Sequence, residues 1–306
     1  MTLEPAIARL VDDFIAAGRP SSRNQTFEER RATYVASTAL SGDIEQRVNV
    51  EDMVIQEVSL RIVSPLNEGE FLPAIVYYHG GCFVSGGFLK HDNQLRQLAF
   101  LSGCRVVAVQ YRLAPEHTYP AAHDDAEHAA NIVWQHAQAL GIDRSHITLM
   151  GDSAGGHLAL ITALRLRNTK QWLPQQLVLI YPMLDATASF ESHKLNGNDY
   201  VLTSDTLLSG FEAYFPHTEF THPEVSPLLH GDLSSLPPVH IVTAEYDPLR
   251  DEGEALFVRL TQQGVNCTAQ RYFGVIHGFF QLGGISPTAR NLMRDICALI
   301  RSLDKP

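Results

Sequence analysis

The chain has 306 residues, of which 45 % are hydrophobic and 19 % charged, and it carries a formal charge of −11 at pH 7. This composition is typical of a globular protein with a large core and excludes a disordered chain, collagen and a coiled coil. Because an acidic protein repels phosphate groups, the sequence predicts no nucleic-acid partner. It has no uncharged apolar run long enough to cross a bilayer, so no membrane span is expected.

Cysteine spacing and the N-terminal segment bear on the cellular compartment. The cysteines are too far apart along the chain for a zinc knuckle or a redox dithiol; they are Cys82, Cys104, Cys267 and Cys297. Residues 1–14 include three acidic side chains and lack the basic and apolar regions of a secretory signal. We therefore expect a cytoplasmic protein with reduced thiols. Residues 123–128 are rich in His, Asp and Glu but lack a recognised ligand spacing, so they indicate a solvated helix face, and no metal or other cofactor is expected.

Two helices and then a strand are predicted at the start of the chain. Apolar residues at helical spacing indicate an amphipathic helix within residues 7–14. Thr26 and Glu29 match a capping box, which predicts a second helix that continues to Leu40. Alternating side chains over residues 54–62 then predict a single strand, ended by Pro65.

Short β-branched runs alternate with helical stretches along the rest of the chain. The predicted strands are residues 74–78, 105–110, 147–150, 177–181, 239–244 and 268–272. The predicted helices are residues 91–101, 123–139, 154–167, 249–262 and 288–303. Strands that alternate with helices imply right-handed crossovers, so we predict an α/β fold with a mainly parallel sheet and helices on both faces.

One long segment, residues 185–238, contains no predicted strand but has helical patches such as residues 203–215. Since a structureless loop of this length is improbable in a compact domain, we interpret it as an inserted helical element over the carboxyl edge of the sheet. The expected organisation is an N-terminal cap segment at residues 1–50, an inserted cap segment at 185–238, and a catalytic domain at 51–184 and 239–306.

The main chemical signal is a serine between glycines, Gly-Asp-Ser-Ala-Gly at residues 151–155. An apolar run precedes it and a predicted helix follows, which is the context of a strand-to-helix elbow that exposes a nucleophilic serine. Glycines on both sides allow neighbouring backbone to pass close to the strained serine. An ordinary turn built from small residues is the alternative for this motif taken alone.

Further motifs lie where an acyl-transfer site needs them. His79, Gly80 and Gly81 follow an apolar run, and glycines there free backbone N–H groups for a developing oxyanion. A serine nucleophile requires a histidine base held by an acid, in the chain order serine, acid, histidine. Asp247 ends a predicted strand and His277 follows the last one. Glu245 and Asp251 are the competing acids near Asp247.

Together these motifs resemble the bacterial hormone-sensitive lipase family of α/β-hydrolase esterases. The matching stretches are residues 79–81, 111–116, 151–156, 247–253 and 277–279, in the order of the family. The resemblance implies an α/β-hydrolase fold with a helical cap, Ser153 as nucleophile, His277 as base and Asp247 as the acid that orients it. It also implies an oxyanion hole formed by the N–H groups of Gly80, Gly81 and Ala154.

The sequence departs from the family at Cys82, where a fourth motif residue is usually glycine. Because the implied oxyanion donors are the two middle glycines, we expect the hole to survive and the Cys82 side chain to pack near the pocket. The predicted substrate-binding residues are Cys82, Phe83, Phe211, Tyr214 and Phe215. The last three belong to the insertion and are expected to close the pocket. Arg112 and Glu116 are predicted to pair in support of the site.

The sequence therefore predicts a cofactor-independent serine carboxylesterase for small, uncharged esters with short to medium acyl chains. A lactonase, thioesterase or amidase could use the same three residues. A ligand receptor on a hydrolase scaffold is the alternative from another class, although such receptors lose a member of the triad. The sequence leaves the oligomeric state open, with a homodimer among the possibilities.

Overall fold

The computed structural model describes residues 2–66, 69 and 71–302. Eight strands in this part of the chain form one sheet in the order β1-β2-β4-β3-β5-β6-β7-β8. The strands are β1 (Val48–Ile55), β2 (Val58–Pro65), β3 (Leu72–Tyr78), β4 (Arg105–Gln110), β5 (Ile142–Asp152), β6 (Gln176–Ile180), β7 (Val239–Tyr246) and β8 (Cys267–Ile276). The pairs from β4 to β8 are parallel, whereas β1 and β2 are antiparallel to their neighbours. The predicted fold, a mainly parallel α/β-hydrolase sheet, is confirmed.

Helices cover both faces of this sheet. They are α1 (Pro5–Ala16), α2 (Phe27–Ala36), α3 (Phe88–Ser102), α4 (Ala121–Gln135), α5 (Ala154–Thr169), α6 (Glu191–Asn196), α7 (Ser204–Tyr214), α8 (Arg250–Gln262) and α9 (Pro287–Ser302). Apolar side chains of α1, α3 and α9 belong to one core cluster, and those of α4, α5, α7 and α8 to another. Successive residues of β3 face the two clusters in turn, Ile75 one and Val76 the other. A strand buried on both faces is therefore apolar throughout.

The predicted single strand at residues 54–62 is wrong, because the structure has a hairpin there. Gln56 and Glu57 both take positive φ angles, of 48° and 69°, and Ile55 pairs with Val58 across them. Such a two-residue turn is usually marked by Asn or Gly, and neither residue type occurs at these positions. Val54, before this turn, is 67 % exposed.

The two N-terminal helices form much as predicted. Thr26 and Glu29 make the reciprocal hydrogen bonds of a capping box at the start of α2. The helix ends at Ala36, and a short 3₁₀ turn, Ser37–Leu40, completes the predicted span. Ile7 and Val11 of α1 are buried in the same core cluster as apolar side chains of α3 and α9. No helix in residues 2–66, 69 and 71–302 has both the length and the hydropathy needed to cross a membrane.

Residues 185–238 contain α6, α7 and a 3₁₀ turn at Pro227–Leu229. Helix α7 packs next to the N-terminal segment, where Arg23 pairs with Asp205 and Glu212. Helix α6 is held to the start of α8, because the Ser192 hydroxyl donates a hydrogen bond to the Pro248 carbonyl at 2.6 Å. The second contact places α6 beside the segment that follows β7.

Candidate active site

Ser153 lies on a tight turn between β5 and α5. Its φ angle is 56°, a strained conformation for a residue with a side chain. The turn also approaches β3 closely, because a Cβ atom added to Gly155 would lie 1.9 Å from the Tyr78 carbonyl oxygen. A Cβ atom on Gly151 would lie 2.3 Å from the Gly155 backbone. Both glycines are therefore required by the geometry of the elbow.

Three polar side chains from separate parts of the chain form a hydrogen-bonded row at this turn. The His277 Nε2 atom lies 3.0 Å from the Ser153 hydroxyl oxygen, and its Nδ1 atom lies 2.8 Å from a carboxylate oxygen of Asp247. With the proton on Nδ1, the imidazole donates to Asp247 and can accept the serine proton at Nε2. Asp247 follows β7 and is fully buried, and its other oxygen accepts a hydrogen bond from the Leu249 amide at 2.8 Å.

The two competing acids make other contacts. The Asp251 carboxylate accepts hydrogen bonds from the Ser192 amide and the Arg250 guanidinium, and Glu245 accepts one from the Gly274 amide. The carboxylate that contacts His277 is therefore that of Asp247, the residue at the carboxyl end of β7.

The predicted oxyanion donor Gly80 is wrong. Its amide N–H donates to the Asp152 carboxylate at 2.8 Å, and the residue does not line the cavity next to Ser153. Gly81 and Cys82 line that cavity instead. Within the described residues, the N–H groups of these two residues and of Ala154, the first residue of α5, donate no hydrogen bond to the protein. They are the donors left for a ligand oxygen.

Gly81 cannot carry a side chain in this loop. Its φ angle is 128°, and a Cβ atom would lie 2.1 Å from the Ser85 carbonyl oxygen. We expect Gly81→Ala to move the loop and lower kcat by about 10²–10³-fold, the usual cost of losing one oxyanion donor. Gly103→Ala is the matched control, because Gly103 also has a positive φ but no atom within 4 Å of its Cβ position. Equal kcat values for the two purified variants on one ester would contradict the prediction.

Asp152 holds the glycine loop in place through hydrogen bonds. Its carboxylate accepts hydrogen bonds from the Tyr77 hydroxyl at 2.6 Å and from the Gln281 amide at 2.8 Å, besides that of Gly80. Although burial opposes its ionisation, the nearby His91 imidazole and these hydrogen bonds hold the pKa of Asp152 well below its usual value. Asp152 is therefore a charged structural anchor.

Two sets of contacts near the site involve Arg112 and Glu116, and His79. The predicted pair of Arg112 and Glu116 is wrong, since Arg112 pairs with Asp125 and Glu116 with Arg31. His79 supports the glycine loop, because its ring stacks on Tyr111 at 4.1 Å between centroids and its Nδ1 atom lies 2.9 Å from the Gly80 carbonyl oxygen. Burial lowers the pKa of His79 to about 3, so the ring is neutral.

A cavity of about 390 Å³ opens above Ser153 and His277. Helix α1 contributes Leu10 and Phe14 to its wall, and helix α2 contributes Arg30 and Tyr34. The remaining wall includes the loop residues Gly81 and Cys82 and parts of the insertion, namely Val201, Leu202 and Thr206. The lining is thus mostly apolar, and much of it comes from residues 1–50, which carry no recognisable motif.

Of the five predicted substrate-binding residues, Cys82 lines this cavity and the four aromatic ones do not. Phe83, Phe211, Tyr214 and Phe215 are all at most 2 % exposed. The Phe83 and Tyr214 rings stack at 4.6 Å between centroids. The Tyr214 hydroxyl oxygen accepts a hydrogen bond from the His123 amide at 3.2 Å and lies 2.9 Å from the His123 Nδ1 atom. These side chains fill the core behind the loop, because an aromatic ring is more stable when it is buried than when it is exposed to solvent in a cavity wall.

The burial of Phe211 in the core determines the expected effect of Phe211→Ala on stability and on substrate preference. We expect a loss of about 3–5 kcal/mol in the free energy of unfolding, the usual cost of truncating a buried phenylalanine, and an unchanged preference for acyl length. Denaturant unfolding and an ester series of increasing length measure the two quantities. A shifted length preference with a stability loss below about 1 kcal/mol would instead place Phe211 at the pocket.

Cys82 is held in a left-handed backbone conformation with φ 54°, which costs a non-glycine residue about 1–2 kcal/mol. Helix α7 packs directly on it, since a Cβ atom added to Gly210 would lie 2.7 Å from the Cys82 Cβ atom. Burial raises the pKa of the Cys82 thiol to about 11. The thiol is therefore protonated at neutral pH and is a poor nucleophile.

Sequence reasoning missed the polar residues contributed by α2, α3 and the segment after His277. Arg30, Tyr34, Lys90 and Gln281 line the cavity, and the Gln281 amide links the Tyr34 hydroxyl to Asp152. None belongs to a motif, so no local signal could have identified them. They meet only because three distant segments converge at this edge of the sheet.

Comparison with known proteins gives consistent matches along the chain. The family signature of the alpha/beta hydrolase fold matches residues 75–281. The ethyl acetate hydrolase of Pseudomonas putida is 33 % identical over 93 % of this chain and 94 % of its own. The arylesterase of Saccharolobus solfataricus is 32 % identical over 100 % of both chains. A solved structure, the hyperthermophilic esterase from the archaeon Pyrobaculum calidifontis, superposes with a TM-score of 0.92 at 38 % identity and covers 99 % of each chain.

Proposed function

Because this chain belongs to the hormone-sensitive lipase-like family of α/β hydrolases and is a carboxylic ester hydrolase, we propose that it cleaves small esters with a Ser153-His277-Asp247 triad. The observation that carries the proposal is the row of hydrogen-bond distances, 3.0 Å from Ser153 to His277 and 2.8 Å from His277 to Asp247. Ser153 and His277 line the cavity, where an ester can reach them.

The first half-reaction forms an acyl-enzyme. The Ser153 oxygen attacks the ester carbonyl carbon while His277 Nε2 takes the hydroxyl proton. The carbonyl oxygen becomes an anion and accepts hydrogen bonds from the N–H groups of Gly81, Cys82 and Ala154. The positive end of the α5 dipole favours the same charge. His277 then gives its proton to the leaving alkoxide, the ester C–O bond breaks, and the alcohol departs.

The second half-reaction repeats these roles with water. His277 takes a proton from a water molecule, whose oxygen attacks the acyl carbon bonded to Ser153. The second oxyanion occupies the same hole, and its collapse releases the carboxylic acid and restores the serine hydroxyl. Asp247 keeps the proton of His277 on Nδ1 throughout and stabilises the imidazolium that forms in each step.

The size and the apolar wall of the cavity favour uncharged esters with short to medium acyl chains. A volume of about 390 Å³ lies near the lower end of the range for small-molecule sites, and apolar side chains dominate its wall. We also propose that residues 1–50 and 185–238 act as a cap over the carboxyl edge of the sheet. The walls contributed by α1, α2 and the start of α7 support that role.

A panel of p-nitrophenyl esters of increasing acyl length tests the proposal. We expect kcat/KM to pass through a maximum at a short to medium chain and to fall for long chains that exceed the cavity. Matched lactone, thioester and anilide substrates in the same assay separate an esterase from the other hydrolases that use this triad. Tight binding of every ester without turnover would instead indicate a receptor.

A further inference from the structure

Lys90, near the start of α3, is a buried cation in the wall of the proposed active-site cavity. It lines the cavity, and only 2 % of it is exposed. Its ammonium group lies 4.9 Å from the centre of the Tyr34 ring. Among residues 2–66, 69 and 71–302, no oxygen accepts a hydrogen bond from it and no carboxylate forms an ion pair with it. A buried ammonium of this kind normally has an anionic partner.

Arg30 of α2 contributes a second cation to the same cavity. It is 7 % exposed, and its guanidinium donates one hydrogen bond to the neutral Ser209 hydroxyl, at 3.1 Å. The same group lies 5.3 Å from the centre of the Phe27 ring. No carboxylate in the described part of the chain pairs with it. Since guanidinium presents five N–H donors, most of its donor capacity is left for a ligand.

The carboxylate in the cavity wall does not neutralise these cations directly. Asp152 is 1 % exposed, and its oxygens already accept hydrogen bonds from Tyr77, Gly80 and Gln281. Burial lowers the pKa of Lys90 to about 8, and the Asp152 charge partly opposes this shift. At neutral pH the ammonium is therefore mainly protonated. A protein with a net charge of −11 thus has a cavity with an excess of positive charge.

We propose that Lys90 and Arg30 form an anion-binding end of the cavity, so that esters carrying a carboxylate, such as monoesters of dicarboxylic acids, are preferred over uncharged esters of the same size. The preference rests on the proposed function, because Ser153 opens into the same cavity. The uncharged esters remain substrates, and the carboxylate adds charge-assisted hydrogen bonds to the lysine or the arginine.

A purely structural role accounts poorly for the choice of these side chains. The surrounding wall includes Leu40, Ile276 and Leu282, against which a methionine would pack without the cost of removing a charge from water. The contact with Tyr34 recovers part of that cost but supplies no negative charge to balance the ammonium. A carboxylate in the cavity supplies the missing partner.

Two pairs of substrates of nearly equal shape test the preference in the two halves of the ester. For the acyl half, mono-p-nitrophenyl glutarate is compared with p-nitrophenyl hexanoate. For the alcohol half, the butyrate ester of glycolate is compared with isobutyl butyrate by titration of the released acid. The measured quantity is the ratio of kcat/KM for the anionic ester to that for the uncharged ester, near neutral pH.

We expect this ratio to fall about tenfold or more in Lys90→Met and in Arg30→Met for one of the two pairs, since a charge-assisted hydrogen bond is lost. That pair identifies the half of the substrate that faces the cations. Lys90→Gln is a second neutral variant. Lys194→Met is the matched control, because that lysine is exposed and pairs with Glu191. Ratios equal to that of the control in all variants, for both pairs, would overturn the proposal.

Binding to Ser153→Ala separates failure of this proposal from failure of the proposed function. Calorimetry measures the Kd of each intact ester in that background, where no turnover is needed. We expect the anionic ester to bind more tightly than its uncharged partner. Adding Lys90→Met should reduce the ratio of the two Kd values, uncharged to anionic, about tenfold. If wild-type protein hydrolyses neither ester but this difference is present, only the catalytic proposal fails. If esters are hydrolysed and the difference is absent, only the anion site fails.

Discussion

Ser153→Ala is expected to lower kcat about 10⁶-fold, because the members of a triad act as a unit and the alanine lacks the oxygen that attacks the ester. The protein should fold normally. Alanine adds no atoms at the crowded elbow, and the hydrogen bond lost is the one to His277 at 3.0 Å. Steady-state hydrolysis of a p-nitrophenyl ester measures kcat, and a thermal unfolding curve checks the fold.

Two other substitutions make this result decisive. Ser145→Ala removes an exposed hydroxyl that contacts Asp143 and should leave kcat unchanged. Cys82→Ser tests the one thiol in the cavity wall and should retain most activity, since the raised pKa of that thiol keeps it protonated. A loss of less than about tenfold in Ser153→Ala, or an equal loss in Cys82→Ser, would assign the nucleophile to another residue.

Asp247→Asn should lower kcat about 10⁴-fold. An asparagine at this position can donate its amide N–H to His277 Nδ1, which moves the imidazole proton to Nε2. The ring could then no longer accept the Ser153 proton. Asp247 is fully buried and its second oxygen accepts a hydrogen bond from the Leu249 amide, so the side chain at this position is held beside His277.

Asp251→Asn is the matched control for this substitution. The Asp251 carboxylate lies four residues away and contacts Ser192 and Arg250 rather than His277, so its loss should cost less than about tenfold in kcat. Both variants should be compared at equal folded fractions by circular dichroism. If Asp251→Asn were the more damaging of the two, Asp247 would not be the orienting acid.

Local sequence patterns predicted most of the helices and strands. The capping box at Thr26 and the alternation of strands with helices depend on interactions within a few residues, and the structure has both. The glycines around Ser153 are also readable locally, because only glycine fits where the elbow passes the Tyr78 backbone. The hairpin at Gln56 was missed because its turn contains neither Asn nor Gly.

The direction of each backbone N–H in the glycine loop was not readable in this way. Gly80 and Gly81 look equivalent in the sequence, yet Asp152, 72 residues further along the chain, accepts the Gly80 proton. The backbone N–H groups that remain available at the cavity are therefore those of Gly81 and Cys82, one residue further along than expected. Which amide is free depends on a partner brought close by the pairing of β3 with β5, and no local pattern records that pairing.

The walls of the cavity depended on tertiary packing to an even greater degree. The aromatic residues of α7 have the composition of a pocket wall, but packing placed Phe211 and Tyr214 in the core behind the loop. The wall came instead from the N-terminal helices and from the buried cations Arg30 and Lys90. Motifs identify residues that react because catalysis constrains type and spacing, whereas a residue that only surrounds the substrate is constrained by its position in space. That position exists only after distant segments have packed together.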